Sequence, residues 1–314
     1  MELSIGIPTY NGSKTIGLAI ESIVEQICDG VEIVISDNAS TDNTEEIVNE
    51  YLSRHSSIKY FRNDINVGMD RNFDLVVQRS KGKYVWILSD DDHIINKTAI
   101  RQVLNAIKLF PDNGAIFANY ENKEIPIDKD YFNIGGNDFF RITKFKSTLI
   151  SSTIVNRNEW NKINKDAYYG TYWVHIGYLI HTNAKLKSTI LHEVLVEQIK
   201  YNQTARRWGM NGTFYNVGID LAIIYLDMDD LGYSKDVCHN ARRYIKDKNY
   251  WNIPLAKKNN LKVTPALLKK CIRVFWFFPS FWLFDLPLLL IPRSIYDRVR
   301  PLYRAIKCLW KRNK

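Results

Sequence analysis

Tyr84-Val85-Trp86-Ile87-Leu88-Ser89-Asp90-Asp91-Asp92-His93 decides the architecture of this chain. The first half is a continuous apolar run of β-branched and aromatic residues, the pattern of a strand buried on both faces. The second half carries three consecutive carboxylates. A buried strand that runs straight into an acidic cluster puts that cluster at its carboxyl end, where open α/β sheets bind ligands. Adjacent carboxylates repel one another unless a cation or hydrogen-bond donors offset the charge. A hard divalent cation bridging to phosphate oxygens does this, because Mg²⁺ is usually held by one or two carboxylates plus phosphates. A solvated acidic turn that caps the next helix fits the same letters, and this stretch alone leaves both readings open.

Upstream, short apolar runs alternate with helical patterns. Leu3 to Ile7 reads as a first strand, closed by Pro8. Ser13 is placed to cap a helix whose Ile16, Ile20, Ile23, Val24 and Ile27 share one face. Glu32 to Ile35 is a second strand, and Asp42 with Glu45 has the spacing of a capping box. Ile58 to Phe61 is a third strand and Gly68 to Val77 a third helix. Lys97 to Leu109 follows the acidic cluster as a helix, and Ala115 to Asn119 as a strand. This alternation predicts an α/β fold with a mostly parallel sheet and right-handed crossovers. From Glu121 to Asn137 the pattern weakens. Lys144 to Val155 reads equally as strand or helix, Trp173 to Ile180 as helix, and Thr189 to Val196 as strand. Gly212 to Asp229 and Lys235 to Lys246 read as helices.

With 314 residues, 46% of them hydrophobic and 25% charged, the chain has a globular rather than a disordered or fibrous composition. The net charge of +9 is unevenly placed. Between Arg293 and Lys314 stand eight Lys or Arg against the single acid Asp297, which points that end toward an anionic surface. Cys28, Cys238, Cys271 and Cys308 are scattered without metal-ligand spacing and are expected as reduced thiols of an intracellular protein. Met1-Glu2 leads directly into the first strand, so no targeting segment is expected there.

The stretch Val274-Phe275-Trp276-Phe277-Phe278-Pro279-Ser280-Phe281-Trp282-Leu283-Phe284-Asp285-Leu286-Pro287-Leu288-Leu289-Leu290-Ile291-Pro292 is apolar and aromatic, and basic residues flank it on both sides. Asp285, Pro279 and Pro287 interrupt it, which argues against a plain transmembrane helix. Aromatics bordered by Lys and Arg suit an interfacial or re-entrant segment, about 272–292, on anionic lipid. A buried core helix with a basic exposed tail is the other reading. Nucleic acid is not expected as a partner, because the aromatics form one block rather than alternating with basic residues.

Four blocks in order carry a family resemblance: Ile7-Pro8-Thr9-Tyr10-Asn11, Ser36-Asp37-Asn38-Ala39-Ser40-Thr41-Asp42-Asn43-Thr44, Asn66-Val67-Gly68 with Arg71-Asn72, and Ser89-Asp90-Asp91-Asp92. Together they resemble a family 2 glycosyltransferase of the GT-A fold. Ser151-Ser152-Thr153-Ile154-Val155, Trp160, Tyr169-Gly170-Thr171 and His175 resemble the narrower O-antigen abequosyltransferase-like group. The blocks span residues 1 to about 110. A nucleotidyltransferase is disfavoured, because Pro8-Thr9-Tyr10-Asn11-Gly12 is not a Gly-rich loop with a basic residue.

The resemblance implies a nucleotide-sugar-binding half at 1–110, an acceptor side at 111–210 and a helical C-terminal region at 211–314. Pro8, Tyr10, Asn11, Asp37, Asn66, Arg71 and Asp91 are the implied donor contacts, with Asp91 on the ribose. Tyr10 would border the base, and Asp37 would accept hydrogen bonds from base or ribose. Asp92, with Asp90 beside it, would hold Mn²⁺ or Mg²⁺. Ser89 stands where many relatives carry a first aspartate. The Glu-Asp pair usual at the acceptor-side helix is absent, and His175 falls where the base should be, with Asp166 as the alternative; an unperturbed imidazole is a competent base near neutrality. His192-Glu193 reads as structural. Arg206-Arg207-Trp208 suits a phosphate or a solvated basic turn. The implied partner is a polyprenyl-diphosphate-linked saccharide in surface-polysaccharide synthesis. The implied location is the cytoplasmic face of the inner membrane, peripheral or monotopic. A non-catalytic membrane-bound scaffold that kept the fold is the competing reading.

Overall fold

A computed structural model describes residues 1–120, 127–200, 213–247, 253–296 and 298. Arg206-Arg207-Trp208 and most of the basic tail lie outside these residues. The chain divides into two compact units, Met1–Asn202 with Met228–Val237, and Gln203–Asp227 with Cys238–Lys314. The return of 228–237 to the first unit is not visible in the sequence, where the boundary falls at 210. It is fixed by tertiary contacts: the Tyr233 hydroxyl donates to the Ile180 carbonyl at 2.7 Å, and Arg141 pairs with Asp236 at 3.0 Å.

In the first unit, β1 (Leu3–Thr9), α1 (Ile16–Val24), β2 (Val31–Asp37), α2 (Thr44–Leu52), β3 (Ile58–Arg62), α3 (Met69–Arg79) and β4 (Tyr84–Ile87) follow the expected alternation. Strand β1 pairs in parallel with β2 and β4, and β2 in parallel with β3. Every residue of β1, β2 and β4 is buried, as their unbroken apolar runs require. Ile5, Ile7, Ile33, Ile35 and Trp86 join Ile16, Ile20 and Ile23 of α1 in the core.

Beyond β4 the sheet mixes antiparallel with parallel pairs. The further strands are β5 (Asp92–Ile94), β6 (Ala115–Tyr120), β7 (Tyr131–Ile134), β8 (Thr153–Asn156) and β9 (Ser188–Gln198). Between them run helices α4 (Ala99–Leu109), α5 (Gly136–Thr143), α6 (Arg157–Lys162) and α7 (Val174–Asn183). The nine-stranded sheet has the order β3-β2-β1-β4-β8-β6-β9-β5, with β7 also on β9. Strand β8 is antiparallel to both β4 and β6, and β5 and β7 are antiparallel to β9. The sheet is therefore mixed, not mostly parallel. Strands of three or four residues are too short to show a period, and their partners are remote in sequence.

Two local expectations change. Helix α1 begins at Ile16 behind Thr15 with no side-chain cap; the Gly12 carbonyl takes the Thr15 and Ile16 N–H groups. Ser13 instead donates its N–H to Asp42 at 3.1 Å. Asp42 also accepts the Thr44 N–H at 3.1 Å, but Glu45 pairs with Arg62 at 3.4 Å, so no capping box closes. Asp42 thus staples the loop after β1 to the loop after β2.

The second unit contains α8 (Thr213–Ile224), then α11 (Ile253–Lys258), α12 (Pro265–Phe275), a π-helical turn (Phe281–Asp285) and α13 (Leu286–Leu290); α9 (Asp227–Asp230) and α10 (Lys235–Asp247) lie across the unit boundaries. Thr264 caps α12 by accepting the Leu267 N–H at 3.2 Å, with Pro265 in the first turn. Buried Lys257 donates to the Leu289 and Ile291 carbonyls at 3.0 and 2.6 Å and satisfies the end of α13. Asp285 does not face outward. It is buried beside Lys246, at 3.2 Å. Among the described residues no helix is long and apolar enough to cross a membrane.

Candidate active site

The carboxyl ends of β1, β2 and β4 converge, and each contributes one wall. From β4 come the three aspartates, each with a different partner. Asp90 is buried and accepts the Thr9 hydroxyl at 2.5 Å. Gly12 lies so close that a Cβ there would stand 2.3 Å from the Asp90 Oδ2. Asp91 is half-buried and accepts the Ser89 hydroxyl at 2.5 Å. Asp92 is 1% exposed; its Oδ2 accepts the Ser151 hydroxyl at 2.5 Å, and its Oδ1 is buried with no hydrogen-bond partner. Burial, then repulsion from Asp91 and Asp90, outweighs the Ser151 bond and lifts the Asp92 carboxyl to about 7. Ser151 ties the cluster to the 3₁₀ turn Ile150–Ser152, since its hydroxyl also takes the Ser89 N–H at 2.9 Å.

The loop after β1 packs on the loop after β2. Pro8 is in the β1 ladder opposite Ser36, and Tyr10, 44% exposed, stands just past the strand end. Asn11 adopts φ +54°, a region Asn tolerates, and its side chain accepts the Thr41 N–H at 2.7 Å. Its N–H donates to the Ser40 hydroxyl, which donates to Asp37 at 2.6 Å. Asp37 is fully buried. One oxygen takes the Ser40 N–H and hydroxyl, the other Tyr60 at 2.7 Å and Arg62 at 3.3 Å. The acceptor capacity expected to serve a base or ribose is thus filled by protein donors.

Asn66 accepts the Gly68 N–H and the Asn38 amide, both at 2.9 Å, and so shapes the turn that starts α3. Arg71 is exposed on the first turn of α3, its guanidinium 4.3 Å above the Tyr169 ring. Behind this wall is a polar network the sequence reading gave no role. Asn72 bonds the Ser36 carbonyl at 2.9 Å and accepts its hydroxyl at 2.7 Å, and Arg79 reaches Ser36 and Asn63 at 2.7 Å each. The signal was present, in polar residues on a helix face otherwise carrying Phe73, Val76 and Val77. Their partners are not readable without the fold.

The two candidate bases are placed differently. His175 is buried on α7, its Nε2 3.2 Å from the Thr148 carbonyl and its ring against Phe73 and Trp173. Desolvation pulls its pKa down to about 4, so it is not the near-neutral imidazole expected from its unperturbed value. Asp166 is exposed in the turn before α7. At that helix start stands a carboxylate the sequence did not suggest: buried Asp70 of α3 accepts the Tyr172 and Val174 N–H groups at 2.8 and 3.1 Å. His192 is held by Asp130 at 2.7 Å, and Glu193 accepts Asn96 and Gln102, in keeping with a structural role.

The depressed His175 pKa carries a stability signature. Between pH 6.5 and about 4 the unfolded chain binds the proton and the folded one does not, so stability falls as pH drops through this window. The loss is about 3 kcal/mol. Chemical denaturation at pH 7 and pH 4 is expected to show it, and His175→Gln is expected to remove this component.

Residues 4–195 match the model of glycosyl transferase family 2. The chain belongs to that family. It is 28% identical over 263 residues to abequosyltransferase RfbV of Salmonella typhimurium, covering 76% of this chain and 77% of that one. It is 25% identical over 262 residues to the GalNAc(5)-diNAcBac-PP-undecaprenol beta-1,3-glucosyltransferase of Campylobacter jejuni, covering 79% and 78%. The crystal structure of S. aureus TarS 1-349 in complex with UDP-GlcNAc superposes with a TM-score of 0.63 at 17% identity, covering 98% of this chain and 88% of that one. The fold is GT-A, and this family 2 member is a glycosyltransferase. The scaffold reading gives way to an enzyme.

Proposed function

We propose that this glycosyltransferase moves a sugar from a nucleotide-sugar donor to a hydroxyl of a lipid-linked saccharide during surface-polysaccharide synthesis, using a divalent cation, Mn²⁺ or Mg²⁺. The observation that carries the reading is the acidic cluster at the end of β4, in which the buried Asp92 Oδ1 has no donor. That suits a cation shared with a substrate, because Mg²⁺ commonly takes one or two carboxylates plus phosphate oxygens. Asp92 and Asp90 would hold it, and when bound it would stabilise the charge of the departing nucleoside diphosphate.

The chain's own residues do the rest. Tyr10 borders the base, Asn11 and Asn66 fix the two loops that line the donor, Asp91 reaches the ribose, and Arg71 meets the diphosphate. The acceptor hydroxyl loses its proton to a base for which His175 and Asp166 are the candidates. With His175 as the base, the acid limb of the rate profile is expected near pH 4 rather than near neutrality. Transfer of labelled sugar from UDP-, GDP-, CDP- and dTDP-sugars to a polyprenyl-diphosphate-linked saccharide tests the reading. Product that disappears with chelator and returns with Mn²⁺ is the expected result; chelator-resistant transfer overturns the cation's role.

The lipid-linked acceptor draws support from the undecaprenol diphosphate in the name of the C. jejuni relative. It also fits the second unit, where Trp276, Trp282, Leu283 and Leu290 are exposed while Asp285 is hidden against Lys246. The outward surface of the apolar block is thus free of the charge that interrupts its sequence. Exposed Trp and Leu side chains in a block flanked in sequence by exposed Arg273 and Arg293 suit peripheral or monotopic seating on an anionic bilayer. The cytoplasmic face goes with a nucleotide-linked donor. Trp276→Glu/Leu283→Glu is expected to abolish sedimentation with phosphatidylglycerol vesicles at an unchanged Tm; undiminished binding rejects this surface.

A further inference from the structure

Helix α3 grips the turn that precedes α7 through three successive contacts. Asp70 takes the Tyr172 and Val174 N–H groups, and Asp74, one turn along, takes the Tyr169 hydroxyl at 3.0 Å. Between them Arg71 lies over the Tyr169 ring at 4.3 Å. Asp74 is itself fixed: its other oxygen accepts Trp160 Nε1 at 2.7 Å and stands 3.5 Å from Lys165 Nζ. The turn carries φ +83° at Gly170 and φ +73° at Tyr172. A bulky residue in that region is strained and persists where surrounding contacts hold it. Tyr169 is thus held through its hydroxyl on Asp74 and through its N–H, which donates to the Lys165 carbonyl at 3.2 Å.

We propose that Tyr169 is a positioning residue for the donor, holding the Arg71 guanidinium at the orientation in which it meets the diphosphate. This rests on the assignment of Arg71 to the donor. The first turn of α3 lies at the sheet's carboxyl edge, since neighbouring Asn72 reaches the carbonyls of Ser36 and Thr9 at 2.9 and 3.5 Å. An exposed Arg samples many rotamers, and fixing it on binding costs entropy. Stacking on a ring holds the face of the guanidinium and leaves the in-plane N–H fork for phosphate oxygens. Tyr169 removes part of that entropy before the donor arrives, and Asp74 acts one step behind it.

The test is calorimetric binding of UDP, CDP, GDP and dTDP, each with Mn²⁺, to the full chain and its variants. For the nucleotide that binds, Arg71→Ala weakens affinity, and Tyr169→Leu weakens it about two- to fivefold. Tyr169→Phe keeps the ring and stays within about twofold of the parent. The double variant Arg71→Ala/Tyr169→Leu binds no worse than Arg71→Ala alone. In turnover the Tyr169→Leu effect appears in the donor KM, with kcat and the acceptor KM unchanged. A Tyr169→Leu loss that persists in the Arg71→Ala background, or an equal loss in Tyr169→Phe, overturns the positioning role. An Arg71→Ala variant that binds normally removes the donor assignment itself, a separate failure.

Discussion

Asp92→Asn is expected to cut sugar transfer by roughly a thousandfold, the scale of losing several kcal/mol of charge stabilisation at the leaving diphosphate. The same change is expected to leave the cation-free protein more stable above pH 7. Asp92 is buried with one oxygen unpaired, and its folded pKa of about 7 lies above the unfolded value of 3.8. Below pH 4 both states carry the proton. Between pH 4 and pH 7 the unfolded chain gives it up and the folded chain keeps it, so stability falls as pH rises and then levels off. The full penalty is about 4 kcal/mol at most. Asn keeps the shape and a partner for Ser151 without the charge. Transfer assays beside thermal melts at pH 8, with and without Mn²⁺, check both halves. The parent gains stability with Mn²⁺ and the variant does not. A variant that still transfers sugar takes Asp92 out of the reaction, and one that simply unfolds makes Asp92 a structural residue.

Gly12→Ala is the second large effect. Its Cβ would meet the Asp90 Oδ2 at 2.3 Å and the Thr9 hydroxyl at 2.4 Å, on the atoms whose hydrogen bond joins the ends of β1 and β4. One of the two must move. The cost to the fold is modest, about 1–3 kcal/mol for overpacking. The cost to the reaction is larger, because a displacement of about 1 Å in a reactive site can lose a hundredfold in rate. The expected result is a soluble, folded variant with transfer reduced about a hundredfold. Thr9→Ser in the same assay stays near the parent, since the hydroxyl that Asp90 accepts is kept. Full activity in Gly12→Ala would show that the β1–β4 junction tolerates rearrangement.

Strands β1, β2 and β4 were legible because they are buried on both faces. Tyr84 to Leu88 and Leu3 to Ile7 admit few other readings. The position of the acidic cluster at a strand end followed from adjacency alone. The later strands were not legible: β5 and β8 have three and four residues and take partners about 100 and 70 residues away. Asp285 shows the same limit from the other side. In the sequence it breaks an apolar block, and in the structure Lys246 hides it, so the block presents an uncharged face.

The sequence by itself determined the α/β frame, the four motif blocks in their order, and the chemistry available to them, because burial pattern and residue type are local properties. Only the tertiary structure decided which of those groups remain available. It filled Asp37 with Ser40, Tyr60 and Arg62, buried His175 until its pKa fell, and left one oxygen of Asp92 unpaired. It also set Tyr169 beneath Arg71, nearly a hundred residues away. The physical reason is that desolvation and pairing depend on what the rest of the chain brings alongside a side chain.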